Sequence, residues 1–286
     1  IRLIMKLFLL TSLAMFAFAA NSLLSRMAFV DQTIDPLSFT LIRIFAGAAL
    51  LALLVKPRVS EIKQIVNIRN NKMSALSVVG LSTYAYAFSW AYVGMDTGMG
   101  ALILFATIQL VLNIIAQFTG AKTTALTLIG ILVAFMGLVI LLLPGQSAPD
   151  FDRALIMMLA GLGWAGFVYA GRKSTEPLKE VAIAFRWSLI LSLPLLFMAD
   201  WQSSSIKGVL LAVVSGAFAS GLGYALWYKV LPQLGLQNAA QVQLVVPVLA
   251  LVMGVLFLSE PLSTTLLLAC LLILVGITLA IRGKKV

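Results

Sequence analysis

The stretch GMGALILFATIQLVLNIIAQFTGAKTTALTLIGILVAFMGLVILL, from Gly98 to Leu142, can be laid without a gap on QNAAQVQLVVPVLALVMGVLFLSEPLSTTLLLACLLILVGITLAI, from Gln237 to Ile281. Gly100–Ala101 then falls on Ala239–Ala240, Thr124 on Ser263, and Gly137 on Gly276. Each stretch reads as two apolar helices joined by a short polar corner. An apolar protein made from two copies of one unit points to a transporter, because a substrate site can form where the copies meet.

The surrounding chain has the same character. It has 286 residues, 62% of them hydrophobic and 10% charged, with a mean hydropathy of +1.07. A soluble domain of this size has no core large enough for so much apolar surface, so lipid must solvate most of it. A bilayer-spanning helix needs about 20 mostly apolar residues. Ten segments meet that length: 7–29, 37–55, 73–93, 98–118, 124–143, 154–173, 181–199, 206–228, 237–258 and 263–281. The first follows Arg2 and Lys6 like a signal peptide. It runs past the usual length of such a core and has no clear small-residue cleavage site, so it is read as a retained helix.

The net charge of +10 resembles a nucleic-acid signal until the charges are placed on the segments. With the N-terminus inside, one side receives Arg2, Lys6, the basic stretch Lys56–Lys72, Lys122, Arg172, Lys173, Lys179, Lys229, Arg282, Lys284 and Lys285. The other keeps Arg26, Arg153 and Lys207, with Asp31, Asp35, Asp96, Asp150, Asp152, Asp200 and Glu260. This positive-inside bias puts both termini in the cytoplasm of a multi-pass protein of the cell inner (plasma) membrane. The basic residues are scattered over separate loops, so no nucleic-acid partner is expected.

The clearest loop is Pro144-Gly145-Gln146-Ser147-Ala148-Pro149-Asp150. Five helices precede it and five follow, so the second copy enters the membrane from the opposite side. The expected fold is an all-α integral membrane protein of ten transmembrane helices, arranged as two inverted five-helix repeats around a central cavity. The units are 1–143, an external linker 144–152, and 153–286. Arg43 and Arg186 occupy matching places early in the second and seventh helices, one toward each face.

Gly223-Tyr224-Ala225-Leu226-Trp227-Tyr228, Pro247, Ser259-Glu260-Pro261-Leu262 and Gly276 resemble the EamA-type domain of the drug/metabolite transporter superfamily. Gly163-Trp164-Ala165 with Arg172-Lys173 opens the second half in the same style, and Pro36 and Arg43 extend the likeness into the first. The resemblance implies ten helices, a central cavity, and alternating access for a small metabolite, often by export. The first half departs from the pattern: Ile108 and Ala121 stand where the second half has Pro247 and Glu260.

Polar side chains within apolar helices should face a cavity or another helix. Gln109, Asn113 and Gln117 recur at i, i+4 and i+8 on one face of the fourth helix. The repeat sets Gln241, with Gln243 near it, on the corresponding stripe of the ninth. Gln109, Asn113 and Gln241 are candidate substrate-binding residues, and Gln117 is interfacial. Asn21, Tyr84, Tyr224 and Trp164 join the candidates because they sit deep, where a phenol or indole needs a polar partner; Tyr86 is a further deep phenol. Trp90, Tyr92, Trp227 and Tyr228, near helix ends, read as interfacial anchors. Arg43 and Arg186 each lie about two turns inside, where an unpaired guanidinium costs about 2.5 kcal/mol or more. Each needs a charge partner, either a carboxylate on the substrate or helix-end carbonyls. Pro247 can bend its helix or free a carbonyl, which makes it a candidate gate.

No Asp, Glu or His occupies the middle of any helix, and His is absent altogether. The single Cys270 excludes a disulfide framework. With no metal cluster, nucleophile–base pair or phosphate loop, the chain offers no catalytic residues, no metal site and no cofactor site, and is not expected to be an enzyme. The function expected is a secondary transporter of a small organic metabolite, an amino acid for instance, working by alternating access and in the export direction. The alternative is a flippase for a lipid-linked group. The partners are the small-molecule substrate and the lipid bilayer, with the chain a monomer or homodimer.

Overall fold

The computed structural model describes residues 2–55, 72–119, 124–143, 149–171 and 176–283. Every regular element among them is helical. In order come α1 (Arg2–Val30), α2 (Pro36–Leu54), α3 (Lys72–Ala91), α4 (Thr97–Phe118) and α5 (Ala125–Leu142). Then follow α6 (Phe151–Gly171) and α7 (Pro177–Ser192), which tightens into a 3-10 turn over Leu193–Phe197. α8 (Ile206–Val214) widens into a π-helix over Ser215–Leu222 and regains α geometry in α9 (Gly223–Val242). α10 (Val245–Leu258) and α11 (Thr264–Arg282) complete the bundle. Among the described residues, eight helical stretches are long and apolar enough to cross a membrane, and Val245–Leu258 is a shorter apolar helix. Phe8, Phe45, Leu53, Leu256 and Phe257 are among many large apolar side chains that point outward. With a helical backbone and large apolar side chains outside, this is an all-α integral membrane protein.

Local sequence explains several helix ends. Asp35 caps α2, its Oδ1 accepting from the Leu37 and Ser38 amides, with Pro36 pre-set at the first helical position. Thr124 and Ser263, matched by the repeat, do the same work on α5 and α11. Their hydroxyls accept from the Thr127 and Leu266 amides at 3.2 and 3.0 Å. The basic stretch 56–71 and the linker residues 144–148 lie outside the described residues.

Two boundaries differ from expectation. A turn was expected between 228 and 237, but α9 runs through it and the chain breaks at Gln243–Leu244. The cause is Pro247, whose ring cannot sit against the carbonyl four residues upstream in a regular helix. Gln243 O instead receives the Val246 amide in a tighter turn. Likewise Pro194 coincides with the change of α7 into its 3-10 end.

The most extensively packed helix pairs are α3 with α6 and α5 with α11. Both depend on missing side chains: a Cβ on Gly80 would stand 2.6 Å from Gly163 O, and one on Gly276 only 2.3 Å from Ala134 N. α6 also packs on α4, and α7 on α3. In parallel, α1 packs on the π segment and α9, α1 on α10, and α2 on α8 and the π segment. Direct pairs α2 with α7, α4 with α10, and α5 with α11 close the bundle. Exchange of α1, α2, α3, α4 and α5 for α6, α7, the α8–α9 stretch, α10 and α11 maps these pairs onto one another.

Candidate functional site

A narrow cavity lies where the two sets of helices meet. Its wall is Phe18, Asn21 and Ser22 from α1, Tyr84 and Phe88 from α3, and Leu104, Phe105 and Ile108 from α4. Trp164 from α6, Ala219 from the π segment, Tyr224 from α9 and Gln243 at the helix break complete it. Four residues singled out from the sequence, Asn21, Tyr84, Trp164 and Tyr224, thus come together. Their rings interlock: Trp164 lies 4.7 Å from Tyr84 and 5.0 Å from Tyr224 between centroids, and Phe18 meets Trp164, Tyr224 and Trp227 edge-on. Edge-on and tilted contacts of this kind hold an aromatic wall in register.

One polar network runs through that wall. Asn21 Nδ2 donates to Tyr84 Oη at 3.0 Å, and Ser215 Oγ donates to Asn21 Oδ1 at 2.7 Å. Arg43 Nη2 donates to the same Tyr84 oxygen at 3.1 Å, and its Nε to Ser220 Oγ at 3.3 Å. The guanidinium carbon also stands 5.1 Å from the ring centres of both Tyr84 and Phe88. Arg43 is 2% exposed, and its Nη1 has no hydrogen-bond partner among the described residues. Ser215 and Ser220 reach this network from the π-helix, whose wider turn re-aims side chains; such turns are frequent at functional sites. Gly216 permits it, because its Cα lies directly against the Arg43 backbone.

The other expected residues are placed differently. Gln109 and Asn113 are buried on α4, but neither lines the cavity, which Ile108 reaches instead. Asn113 Nδ2 donates back to Gln109 O in its own helix at 2.8 Å, leaving Oδ1 without a partner among the described residues. The Gln241 side chain lies outside the described residues, whereas Gln243 faces the cavity. Arg186 donates to Val55 O at 3.3 Å, the helix-end contact that served as one of its two readings. Arg43 does not: its partners are hydroxyls from α3 and the π segment. Tyr86 donates to Ser192 Oγ at 2.6 Å between α3 and the end of α7, away from the cavity. Pro247 is buried in the first turn of α10, where a missing amide costs least. Tyr92 and Trp227 are not interfacial anchors, being buried under Gly100 and Phe18 respectively.

A second polar cluster closes one end of the bundle. Both Glu260 oxygens lie 2.9 Å from the Thr97 amide, and Thr97 Oγ1 donates to Oε1 at 2.8 Å, so a residue beyond α10 caps α4. Arg26 Nε stands 3.7 Å from Glu260, and its two terminal nitrogens reach Asp96 and the carbonyls of Tyr92 and Val93. Ser259, at φ 54°, makes the left-handed turn that brings Glu260 back over Gly254. Burial pushes the Glu260 carboxyl above the ordinary carboxylate range, opposed by the Thr97 hydrogen bonds. Lys207 pairs with Asp31 at 2.5 Å at the same end.

Comparison with known proteins gives this architecture relatives. The model of the EamA-like transporter family matches residues 153–282. An uncharacterized protein of Pseudomonas aeruginosa, PA1977, is 43% identical over 277 residues, 96% of this chain and 94% of that protein. The uncharacterized transporter YoaV of Bacillus subtilis is 25% identical and shares 85% of this chain and 86% of its own length. An Escherichia coli protein named "Probable amino-acid metabolite efflux pump" is 25% identical over 226 residues, 72% of this chain and 75% of that one. A crystal structure with 20% sequence identity superposes with a TM-score of 0.64 over 94% of this chain and 97% of the other. At that identity the match is one of fold.

Proposed function

The chain belongs to the EamA-like transporter family, and from that premise we propose a secondary carrier that exports a small organic metabolite by alternating access. The observation that carries the reading is the position of the cavity. It lies between two sets of helices whose packing pairs interchange, as expected for two five-helix units, 1–143 and 153–286, related by a pseudo-two-fold axis in the membrane plane. The close approach of Gly276 to Ala134 and that of Gly137 to Ile273 are the same contact under the repeat alignment, which supports this pairing. So does a family match that begins at residue 153. In this reading ten spans cross the inner membrane with both termini in the cytoplasm.

Asn21, Tyr84, Trp164 and Tyr224 form the binding wall. Gln109 and Asn113, just past Ile108 on α4, belong to the path that opens below it, and the spare Asn113 oxygen favours that role. The break before Pro247 is the point where α10 can swing. The cluster of Arg26, Asp96, Glu260 and Thr97 ties α1, α4 and α10 together and holds the outer side shut. The chain is a carrier and not an enzyme.

The substrate class is suggested by the Escherichia coli relative, whose name refers to amino-acid metabolites. A flippase for a lipid-linked group needs a lateral opening. The apolar groove between α2 and the end of α7, at Leu41, Phe45, Leu196 and Trp201, shares no lining residue with the cavity and so favours the carrier. Untargeted metabolite profiling of cells with and without the protein tests the proposal. Export predicts a compound that accumulates inside the deletion strain, appears in the medium of the producing strain, and crosses proteoliposomes containing the pure protein. Flux of no metabolite, with movement of a lipid-linked group instead, would transfer the argument to the flippase.

A further inference from the structure

We propose that the cavity selects an organic monoanion, a carboxylate on an apolar body, with Arg43 and Tyr84 as the residues that recognise the carboxylate. This inference rests on the carrier reading above and narrows its substrate.

The starting point is an imbalance of charge. Arg43 is almost fully buried, and each of its hydrogen-bond partners is a neutral hydroxyl, Tyr84 or Ser220. The cavity wall contains no Asp, Glu, Lys or Arg; Arg43 stands directly behind it, against Tyr84 and Phe88. The described acids nearest in role, Asp96 and Glu260, are engaged by Arg26 at the end of the bundle. A permanently charged guanidinium in the low-dielectric interior, with no counter-ion among the described residues, favours an anion arriving from outside the chain.

The second imbalance is one of donors. Tyr84 Oη accepts from both Asn21 and Arg43, so the hydrogen it carries is left for the neighbouring Tyr224 hydroxyl or for a ligand. Asn21 is already bonded at both ends, to Tyr84 and Ser215. Arg43 Nη1 carries two further hydrogens with no acceptor among the described residues. The network therefore lacks acceptors, and a carboxylate supplies only acceptors. A carboxylate entering beside Tyr84 takes the hydroxyl hydrogen. As the wall opens it replaces the Tyr84 oxygen at Arg43, so that Nη1 and Nη2 can both donate in a fork.

The rest of the wall sets the rest of the ligand. Phe18, Phe88, Leu104, Trp164 and Tyr224 offer faces and edges for an apolar or aromatic body. An ammonium would find aromatic faces and no carboxylate, so a zwitterion brings a positive charge to a site that already has one. The ligand class is thus a net monoanion: an amino acid whose amine is lost or blocked, or another small apolar acid.

Three probes of similar size separate these ideas in binding measurements on the purified full chain in detergent: 3-phenylpropanoate, 3-phenylpropanamide and L-phenylalanine. The expected result is that the propanoate binds at least about tenfold more tightly than the amide and also more tightly than phenylalanine. Arg43→Gln should remove the difference between propanoate and amide, Arg43→Lys should retain part of it, and Tyr84→Phe should weaken the propanoate alone. Equal binding of amide and propanoate, tighter binding of phenylalanine, or no binding of the propanoate each overturns the inference. Because the probe comparison uses the unaltered protein, an unfolded Arg43 variant does not remove the test. Charge-selective binding without flux in proteoliposomes would sink the carrier reading and leave this one standing. Flux without charge selection would do the reverse.

Discussion

Gly216→Ala is the most informative single change, because it attacks the Arg43 network without removing a polar side chain. A Cβ at Gly216 would stand 2.2 Å from the Arg43 carbonyl oxygen and 2.8 Å from both its carbonyl carbon and Cα. Real Cβ atoms stay beyond 3.0 Å, and the obstacle is backbone, which cannot rotate away as a side chain can. The π segment must therefore retreat from α2 by at least about 0.8 Å, the difference between 3.0 and 2.2. The bond from Arg43 Nε to Ser220 Oγ is already 3.3 Å long and does not survive that movement. Overpacking costs roughly 1–3 kcal/mol, and a lost bond to a charged group about 1.5–3 kcal/mol. Together these amount to a fall in Tm on the order of 10 °C. Thermal unfolding of the detergent-purified protein measures it, with proteoliposome flux as the functional readout. Gly166→Ala is the control, since its Cβ would sit 3.4 Å from Leu76 Cδ1, an ordinary contact, and should shift stability by less than about 0.5 kcal/mol. In an Arg43→Gln background the Gly216 penalty should shrink, because part of what it breaks is already gone. A Gly216→Ala protein with normal Tm and normal flux would refute the claimed backbone contact, and with it the placing of Ser220 on Arg43.

Two further outcomes follow from the end of the bundle and from the charge pattern. The folded chain holds the Glu260 proton to higher pH than the unfolded chain, because burial raises its pKa. This group's contribution to stability therefore declines as pH rises from the unfolded carboxylate value through the raised one. Tm measured from about pH 4 to about pH 7 should show that decline in the native protein and lose it in Glu260→Gln; identical profiles would contradict it. For orientation, single cysteines in a Cys270-free background should react with an impermeant reagent in intact cells at Ser203 and not at Thr119, both exposed. The opposite pattern would invert the proposed topology.

The helices and part of the wall were legible in the sequence, for identifiable reasons. Asn21, Tyr84, Trp164 and Tyr224 were legible because a polar or amphipathic group deep in an apolar run has few places to go, and here the place is a shared cavity. The repeat alignment matched Thr124 to Ser263 without assigning either a role; the structure makes both of them caps, a local requirement that each helix start must meet. Gln109 and Asn113 showed the same kind of stripe, yet Asn113 turned to its own backbone, an option that spacing alone does not reveal. Tyr92 and Trp227 were misjudged because nearness to a helix end fixes depth along the membrane and says nothing of what lies alongside; Gly100 and Phe18 supply the cover. The π-helix left the weakest trace. Ser215-Gly216-Ala217-Phe218-Ala219-Ser220-Gly221-Leu222 has no proline and no insertion signal; its small residues merely tolerate the wider turn. The widening comes with contact between Gly216 and the Arg43 backbone, more than 170 residues away in the chain. Arg43 thus shapes the site twice, through its backbone on the π segment and through its guanidinium on Tyr84 and Ser220. A residue carrying both contacts is poorly explained as a surface-seeking charge, and its spare donor is the feature that a substrate anion would answer.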